Sequence, residues 1–406
     1  MNAASRHIQR VYLTLLLFNT LAASLIWGIN TLFLLDAGLS ATEAFIANAF
    51  FTAGLVIFEI PTGVIADVKG RRASYLLGTL TLAVTTLLYL LMWHVHAPFW
   101  AWALTSAFLG LGFTFFSGAV EAWLVDALTA TGFKGVLESV FAKGEIVRGA
   151  AMLVGSVAGG FIAQISTLGV PYIVRVVLLV ATFLLALFVM RDLGFSPSGG
   201  KTPLREVKDV LVCAFRNAIR QPSVKWVMLS GFFTFGVMAY VFYAMQPYLL
   251  ELYGDQHAYG IAGIAAAIVA AAQIIGGLTV SAVGNVFKRR TNIMLVGCLL
   301  SVVTLLLIGF VNNFWVVISL FAVWSFMFAA TTPVRQAYLN GFIASKERAT
   351  VLSFDSLLGS SGGVISQPLL GRSADVWSYQ ASYLVAGVFQ APALIFTWLA
   401  RRHDNK

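Results

Sequence analysis

The feature that most constrains this chain is the recurrence of continuous apolar runs, each long enough to cross a bilayer, separated by short polar breaks. A helix of about 20 apolar residues spans the hydrocarbon core and bonds all its backbone groups internally. Read in order, the runs predict twelve spans: Val11–Leu35, Phe45–Ala66, Ser74–Trp93, Phe99–Val125, Ser139–Ile165, Val170–Val189, Val224–Leu250, Gly260–Val283, Asn292–Val311, Phe314–Leu339, Val351–Leu370 and Ala381–Leu399. Of the 406 residues, 59% are hydrophobic and 11% charged, against about 25% charged in soluble domains. A soluble fold and a disordered chain are both excluded. An outer-membrane barrel is disfavoured, because its strands alternate apolar and polar residues. Cys213 and Cys298 make neither a disulfide framework nor a metal-ligand spacing. There is no G-x-x-x-x-G-K-[ST] phosphate loop and no nucleophile–base spacing. No enzyme activity, cofactor or metal is therefore expected, and ATP does not drive the protein directly.

Lys and Arg mark the cytoplasmic side of a membrane protein. They fall at Arg6 and Arg10, at Lys69, Arg71 and Arg72, at Lys134 and Lys143, and through the middle segment from Arg191 to Lys225. The series continues at Lys288–Arg290, Lys346, Arg348, Arg401, Arg402 and Lys406. All belong to a terminus or to a connection from an even to an odd span. The opposite loops carry Asp36, Glu43, Glu251, Asp255 and Asp375, with Arg372 as the basic exception. Both termini and the middle segment are expected in the cytoplasm, with the chain in a bacterial inner membrane. The N-terminal arm has no small-residue cleavage site, so the first span is read as an uncleaved anchor. The net charge of +9 follows from this topology and calls for no nucleic-acid partner.

The chain divides into residues 1–190, a linker at 191–223, and residues 224–406. Within the linker, Leu204, Val207, Val210, Leu211, Ala214, Phe215 and Ile219 recur at helical spacing, with basic residues between them. This pattern predicts a short helix lying on the inner membrane surface. The two halves repeat. Glu121-Ala122-Trp123-Leu124 parallels Gln336-Ala337-Tyr338-Leu339, and Gly159-Gly160-Phe161-Ile162-Ala163-Gln164 parallels Gly362-Gly363-Val364-Ile365-Ser366-Gln367. Both matches lie six spans apart, as does the match between the loops ending Arg71-Arg72 and Arg289-Arg290. Parallel six-helix repeats with a midplane substrate site are one architecture of secondary transporters.

The loop between spans two and three reads Gly63-Val64-Ile65-Ala66-Asp67-Val68-Lys69-Gly70-Arg71-Arg72. It resembles the G-x-x-x-D-x-x-G-R-[KR] signature of the major facilitator superfamily, and the resemblance extends over the whole chain. A degenerate second copy places Ser281, Asn285, Lys288 and Arg289-Arg290 at Gly63, Asp67, Gly70 and Arg71-Arg72. Gly63 suits close helix contact, Gly70 a tight turn, and Asp67 the positive end of a neighbouring helix. The resemblance implies an all-α fold of about twelve transmembrane helices in two pseudo-symmetric bundles. It also implies a cytoplasmic latch of this loop on the eleventh helix, with Arg71 and Arg72 held by Asp126. The drug and metabolite efflux branch carries two further signatures that this chain only partly keeps. Its fourth span, Ala107-Phe108-Leu109-Gly110-Leu111-Gly112, lacks the Arg. Its fifth, Ala151-Met152-Leu153-Val154-Gly155-Ser156-Val157-Ala158-Gly159-Gly160, has Ser156 for Pro and Ala151 for the first Gly.

Charges within spans are costly and mark function by default. Glu121 is placed to pair with Arg148, which stands three residues after Glu145. Arg335 is placed to pair with Asp355, at comparable depth on the next span. Desolvation favours a neutral carboxyl and a nearby guanidinium a charged one; only the first suits a proton carrier. A permanent bridge between helices and a proton-coupling role both stay open for each pair. Glu59 is read as part of the gate beside the loop, and Arg175 as a side chain reaching the outer interface. By the resemblance, spans one, four, seven and ten line the cavity, flanked by two, five, eight and eleven. Candidates there are Asn30, Phe116, Tyr240, Tyr243, Gln246, Gln273, Trp324 and Gln367, with Asn19, Trp27 and Phe113. So aromatic and amide-rich a lining suits small amphipathic molecules. The expectation is a monomeric, proton-coupled exporter of such compounds that alternates access. A facilitator or proton symporter importing a nutrient is the alternative.

Overall fold

Each predicted span is helical over most of its length in the computed structural model, which describes residues 3–196, 221–342 and 348–404 apart from 281, 283, 285, 286 and 288. The helices are α1 Ala3–Trp27, α2 Asn30–Asp36, α3 Ala41–Lys69, α4 Arg71–Val95, α5 Phe99–Thr114, α6 Ala119–Ala130, α7 Leu137–Ile165 and α8 Gly169–Val189. They continue with α9 Pro222–Tyr253, α10 Tyr259–Leu278, α11 Arg290–Phe310, α12 Phe314–Phe342, α13 Arg348–Val376, α14 Tyr379–Gln390 and α15 Pro392–Arg402. Among the described residues there is no strand. Among the described residues eleven helical stretches are long and apolar enough to cross a membrane, with α5–α6 and α14–α15 each counted as one. The eleventh predicted span is α13, whose 29 residues include Asp355, Arg372, Asp375 and a run of serines and glycines. The expected surface helix of the linker lies outside the described residues, as do Ser281, Asn285 and Lys288 of the second loop copy.

Among the described residues four spans are interrupted where continuous helices were expected, the eighth at Thr279. The fourth breaks between α5 and α6, where Gly118 takes φ 67°, a left-handed conformation that glycine adopts without strain. The first breaks after Trp27, and the twelfth at Ala391, with Pro392 opening α15, where its missing N–H costs nothing.

The chain divides into two compact units. The first comprises Met1–Phe33, Ala53–Arg205 and Tyr259–Ala267; the second comprises Leu34–Thr52, Glu206–Ala258 and Ile268–Lys406. Residues 34–52 thus belong with the second unit although they come from the first half of the sequence, and 259–267 belong with the first. In the first unit α1 packs most extensively on α7, and α4 on α8 and α5. In the second, α9 packs most extensively on α13, and α11 on α12 and α14. The repeat explains the correspondence. Trp123 and Leu124 lie in the core of one unit with Tyr12 and Tyr75. Their counterparts Tyr338 and Leu339 lie in the core of the other with Val227 and Ile293.

The matched glycines occupy equivalent contacts. A Cβ on Gly159 would overlap the Leu25 carbonyl of α1, and one on Gly362 the Phe232 carbonyl of α9. Small residues there let the two backbones touch, the main source of helix association in lipid. Gly159→Val or Gly362→Val should force the pair apart at a cost of about 1–3 kcal/mol. The thermal unfolding midpoint in detergent should fall by several degrees. Gly277→Ala, with no described atom within 4 Å of the added carbon, should leave it unchanged.

Candidate functional site

Among the described residues the most buried ion pair joins α12 and α13. Arg335 donates from Nη1 to Asp355 Oδ2 at 2.6 Å and from Nη2 to Oδ1 at 2.5 Å. Nη2 also donates to the Val227 carbonyl of α9 at 3.2 Å, and the guanidinium lies 5.0 Å from the Phe235 ring centre. Gly231 makes this fit possible, since a Cβ there would strike Nη2. The side chains are only 9% and 10% exposed. Such burial is tolerable because the bidentate geometry satisfies both charges. Gly231 was not anticipated; only the three-dimensional approach of α9 to Arg335 marks it.

The corresponding pair of the first unit is looser. Arg148 lies 3.4 Å from both Glu121 and Glu145, with Arg148 43% and Glu121 39% exposed. Water screens such a pair, so it contributes little. Glu59 accepts a hydrogen bond from Ser117 at 2.5 Å, beside the α5–α6 break. Arg175 corrects an expectation: it does not reach an interface but is 1% exposed. Its Nε donates to Thr86 at 3.1 Å and Nη1 to the Ala22 carbonyl at 3.1 Å, with Phe113 5.9 Å away. Polar partners on α4 and α1 draw it inward.

The signature loop is also arranged differently from expectation. Arg71 pairs with Asp67 at 2.5 Å and lies 6.0 Å from the Phe195 ring centre. The backbone N–H of Arg72 donates to Asp192 Oδ1 at 2.9 Å, and its guanidinium to the Leu187 carbonyl at 2.5 Å. Asp67 thus meets the Arg71 guanidinium and Asp192 the Arg72 backbone, and Asp126 forms no salt bridge among the described residues. The reason is local. Trp123 donates to the Arg191 carbonyl at 2.8 Å, holding the chain after α8 against α6. Asp192 then faces the N-terminus of α4, whose free N–H groups and positive dipole end favour a carboxylate. Gly70, with φ 104°, makes the turn, and a Cβ there would strike Asp192. A Cβ on Gly63 would meet no described atom within 4 Å, so this glycine serves no close helix contact here.

The aromatic and amide candidates divide into two groups. Tyr240 is fully buried, donating to Ser382 at 2.5 Å with its ring 4.6 Å from Phe45. Gln367 donates to Thr52 at 3.1 Å and to the Gly363 carbonyl at 3.0 Å. Trp324 stacks on Phe328 at 5.9 Å. Asn30 accepts from Tyr172 at 3.1 Å, and Gln246 is buried. Phe116, Tyr243 and Gln273 are only partly buried; Phe116 meets Tyr75 edge-on at 4.9 Å and Tyr243 meets Phe242 at 5.7 Å.

One contact was not anticipated at all. Asp375, near the end of α13, caps the start of α3, accepting from the N–H groups of Ala41 at 2.9 Å and Thr42 at 2.7 Å and from the Thr42 hydroxyl. A capping box completes that terminus: Ser40 N–H donates to Glu43 at 2.9 Å and Glu43 N–H to Ser40 at 3.2 Å. The S-x-x-E pattern was available in sequence; the partner 334 residues away was not.

Repeated helical bundles of membrane-spanning length with charges held between their helices define a multi-pass membrane transporter. The Major Facilitator Superfamily profile matches residues 12–272 and 255–406, and the chain belongs to that family. YxaM of Bacillus subtilis (strain 168), an uncharacterized MFS-type transporter, is 21% identical over 402 residues, covering 95% of this chain and 94% of that one. The nucleoside transporter NupG superposes with a TM-score of 0.75 at 11% identity, over 100% of each chain. The POT family transporter PepTSo gives 0.76 at 12% identity, over 99% of each. At these identities the likeness shows the fold.

Removing Asp355 would strand a buried guanidinium. Asp355→Ala should destabilise the protein by about 3–5 kcal/mol, whereas Glu121→Ala should cost at most about 1 kcal/mol. Thermal unfolding in detergent compares them, and the double change Arg335→Leu with Asp355→Leu should recover most of the first loss.

Proposed function

We propose that this transporter is a proton-coupled exporter of small amphipathic organic compounds, acting as a monomer in a bacterial inner membrane with both termini cytoplasmic. The observation that carries the reading is the buried Arg335–Asp355 pair. A carboxylate that holds a cation between two membrane helices is a place where one proton changes the balance of forces. When Asp355 takes a proton from water, the ion pair loses one charge and Arg335 keeps only the Val227 carbonyl and the Phe235 ring. An unpaired buried cation is costly, so protonation favours an arrangement of α12 and α13 in which Arg335 finds another partner. Phe116, Tyr243 and Gln273, with surface left open, suit apolar contact with a few hydrogen bonds. In each cycle the contact of Asp375 with α3 would open and the Asp67 loop would latch. Glu59, Glu121 and Arg148 serve the inner side of the same movement.

The complete signature loop supports export, through its resemblance to the efflux branch. A second reading, import of a nutrient by facilitation or proton symport, is supported by the missing fourth-span Arg and fifth-span Pro. Its further support is that the solved relatives include nucleoside and POT family transporters.

Accumulation of a panel of lipophilic fluorescent dyes, in energised cells with and without the protein, tests the proposal. Export predicts lower accumulation, restored by a protonophore and by Asp355→Asn. Unchanged accumulation across the panel overturns broad efflux. Protonophore-sensitive uptake of a nucleoside or peptide would establish the second reading instead.

A further inference from the structure

Within the second unit, α9, α11, α12, α14 and α15 line a cavity of about 40 Å³. One water molecule needs roughly 10–15 Å³ by the same measure, so there is room for about three, and none for an organic substrate. Its chemistry is one-sided. Ser230, Thr234, Thr331, Thr332 and Thr397 each donate their hydroxyl proton to a carbonyl of their own helix. Each hydroxyl, its proton committed, can offer only lone pairs to anything in the cavity. Gln390, fully buried on α14, donates from Nε2 to Ser301 at 2.9 Å, and its Oε1 has no partner among the described residues. Arg335, 8% exposed, likewise has an unpartnered Nε–H.

Buried polar atoms of this kind are normally satisfied, and an orphan is costly. Water fits both: it accepts from Arg335 Nε–H and donates to Gln390 Oε1 and the hydroxyls. A metal cation fits poorly, because Arg335 is the one charged group in the lining and is itself positive; Cys298 is the only other titratable residue there. We infer that this cavity is a built hydration site, holding a short cluster of ordered water against the face of Arg335 turned away from Asp355, with Gln390 and Ser301 as its positioning residues.

The consequence rests on the proton-coupling reading proposed above. When Asp355 is protonated, Arg335 needs another partner, and the water cluster supplies it within reach. The site therefore lowers the cost of breaking the ion pair. The only bond change is transfer of a proton from hydronium to the Asp355 carboxylate, which leaves water.

Cys298 lines the cavity and provides a native reporter. With Cys213→Ser it is the sole thiol, since the chain has two cysteines. Purified protein carrying that change is transferred to D2O, and the infrared S–H stretch of Cys298 is followed. Conversion to S–D within minutes is expected; an S–H band that persists for hours overturns the hydration site. Gln390→Leu in the same background should slow the exchange by about tenfold or more, the equivalent of one lost hydrogen bond. Unaltered exchange overturns the role of Gln390. Neither readout requires transport, so failure of the proton-coupling reading is separately visible. Fast exchange with proton-driven transport unaffected by Gln390→Leu would overturn the coupling role.

Discussion

Hydrocarbon provides no hydrogen-bond partner, and every level of this structure answers to that deficiency. The backbone satisfies itself in helices. The hydroxyls of the spans turn back on their own helices, as at Thr79, Thr86 and Thr182. Groups that cannot do so find partners on neighbouring helices. Arg175, for example, finds partners on α1 and α4, and the Nη atoms of Arg335 find theirs on α9 and α13. Helix association follows less from apolarity, which lipid matches, than from close backbone approach at small residues such as Gly159 and Gly362.

The two units solve the same packing problem with different electrostatics. The repeat puts aromatic and leucine side chains of α6 and α12 into matching cores and glycines of α7 and α13 into matching contacts. The charges do not follow it faithfully. In the first unit the acid is on α6 and the base on α7, half-exposed and 3.4 Å apart. In the second the base is on α12 and the acid on α13, buried and bidentate. Water screens the first pair, while a proton delivered to the second must be answered by a rearrangement. The proposed ion coupling rests on this asymmetry, and Arg335 and Gln390, each with a buried atom that has no partner among the described residues, line one cavity of the second unit.

Much was legible from sequence because hydropathy and charge are read locally. Span positions follow from apolar length. Arg335 and Asp355 could be set side by side because successive antiparallel spans bring equal depths together. The interruption at Gly118 was not legible, since the surrounding residues are all compatible with helix. Asp126 is nearer in sequence to Arg72 than Asp192 is, yet the chain after α8 returns Asp192 to the α4 terminus. Arg175 stands near a span end, where reaching water is the usual outcome; Thr86 and the Ala22 carbonyl offered a better one.

By itself the sequence determined the class of fold, the repeat, the signature loop and the charges that must be paired, because each depends on residue type and spacing along one chain. Tertiary structure alone decided which groups answer one another: Asp192 with the start of α4, Asp375 with the start of α3, Gly231 making space for Arg335, and Gln390 beside the same cavity. These choices turn on the distance between helices remote in sequence, and a hydrogen bond that must close within about 3 Å is decided by packing that no local pattern encodes.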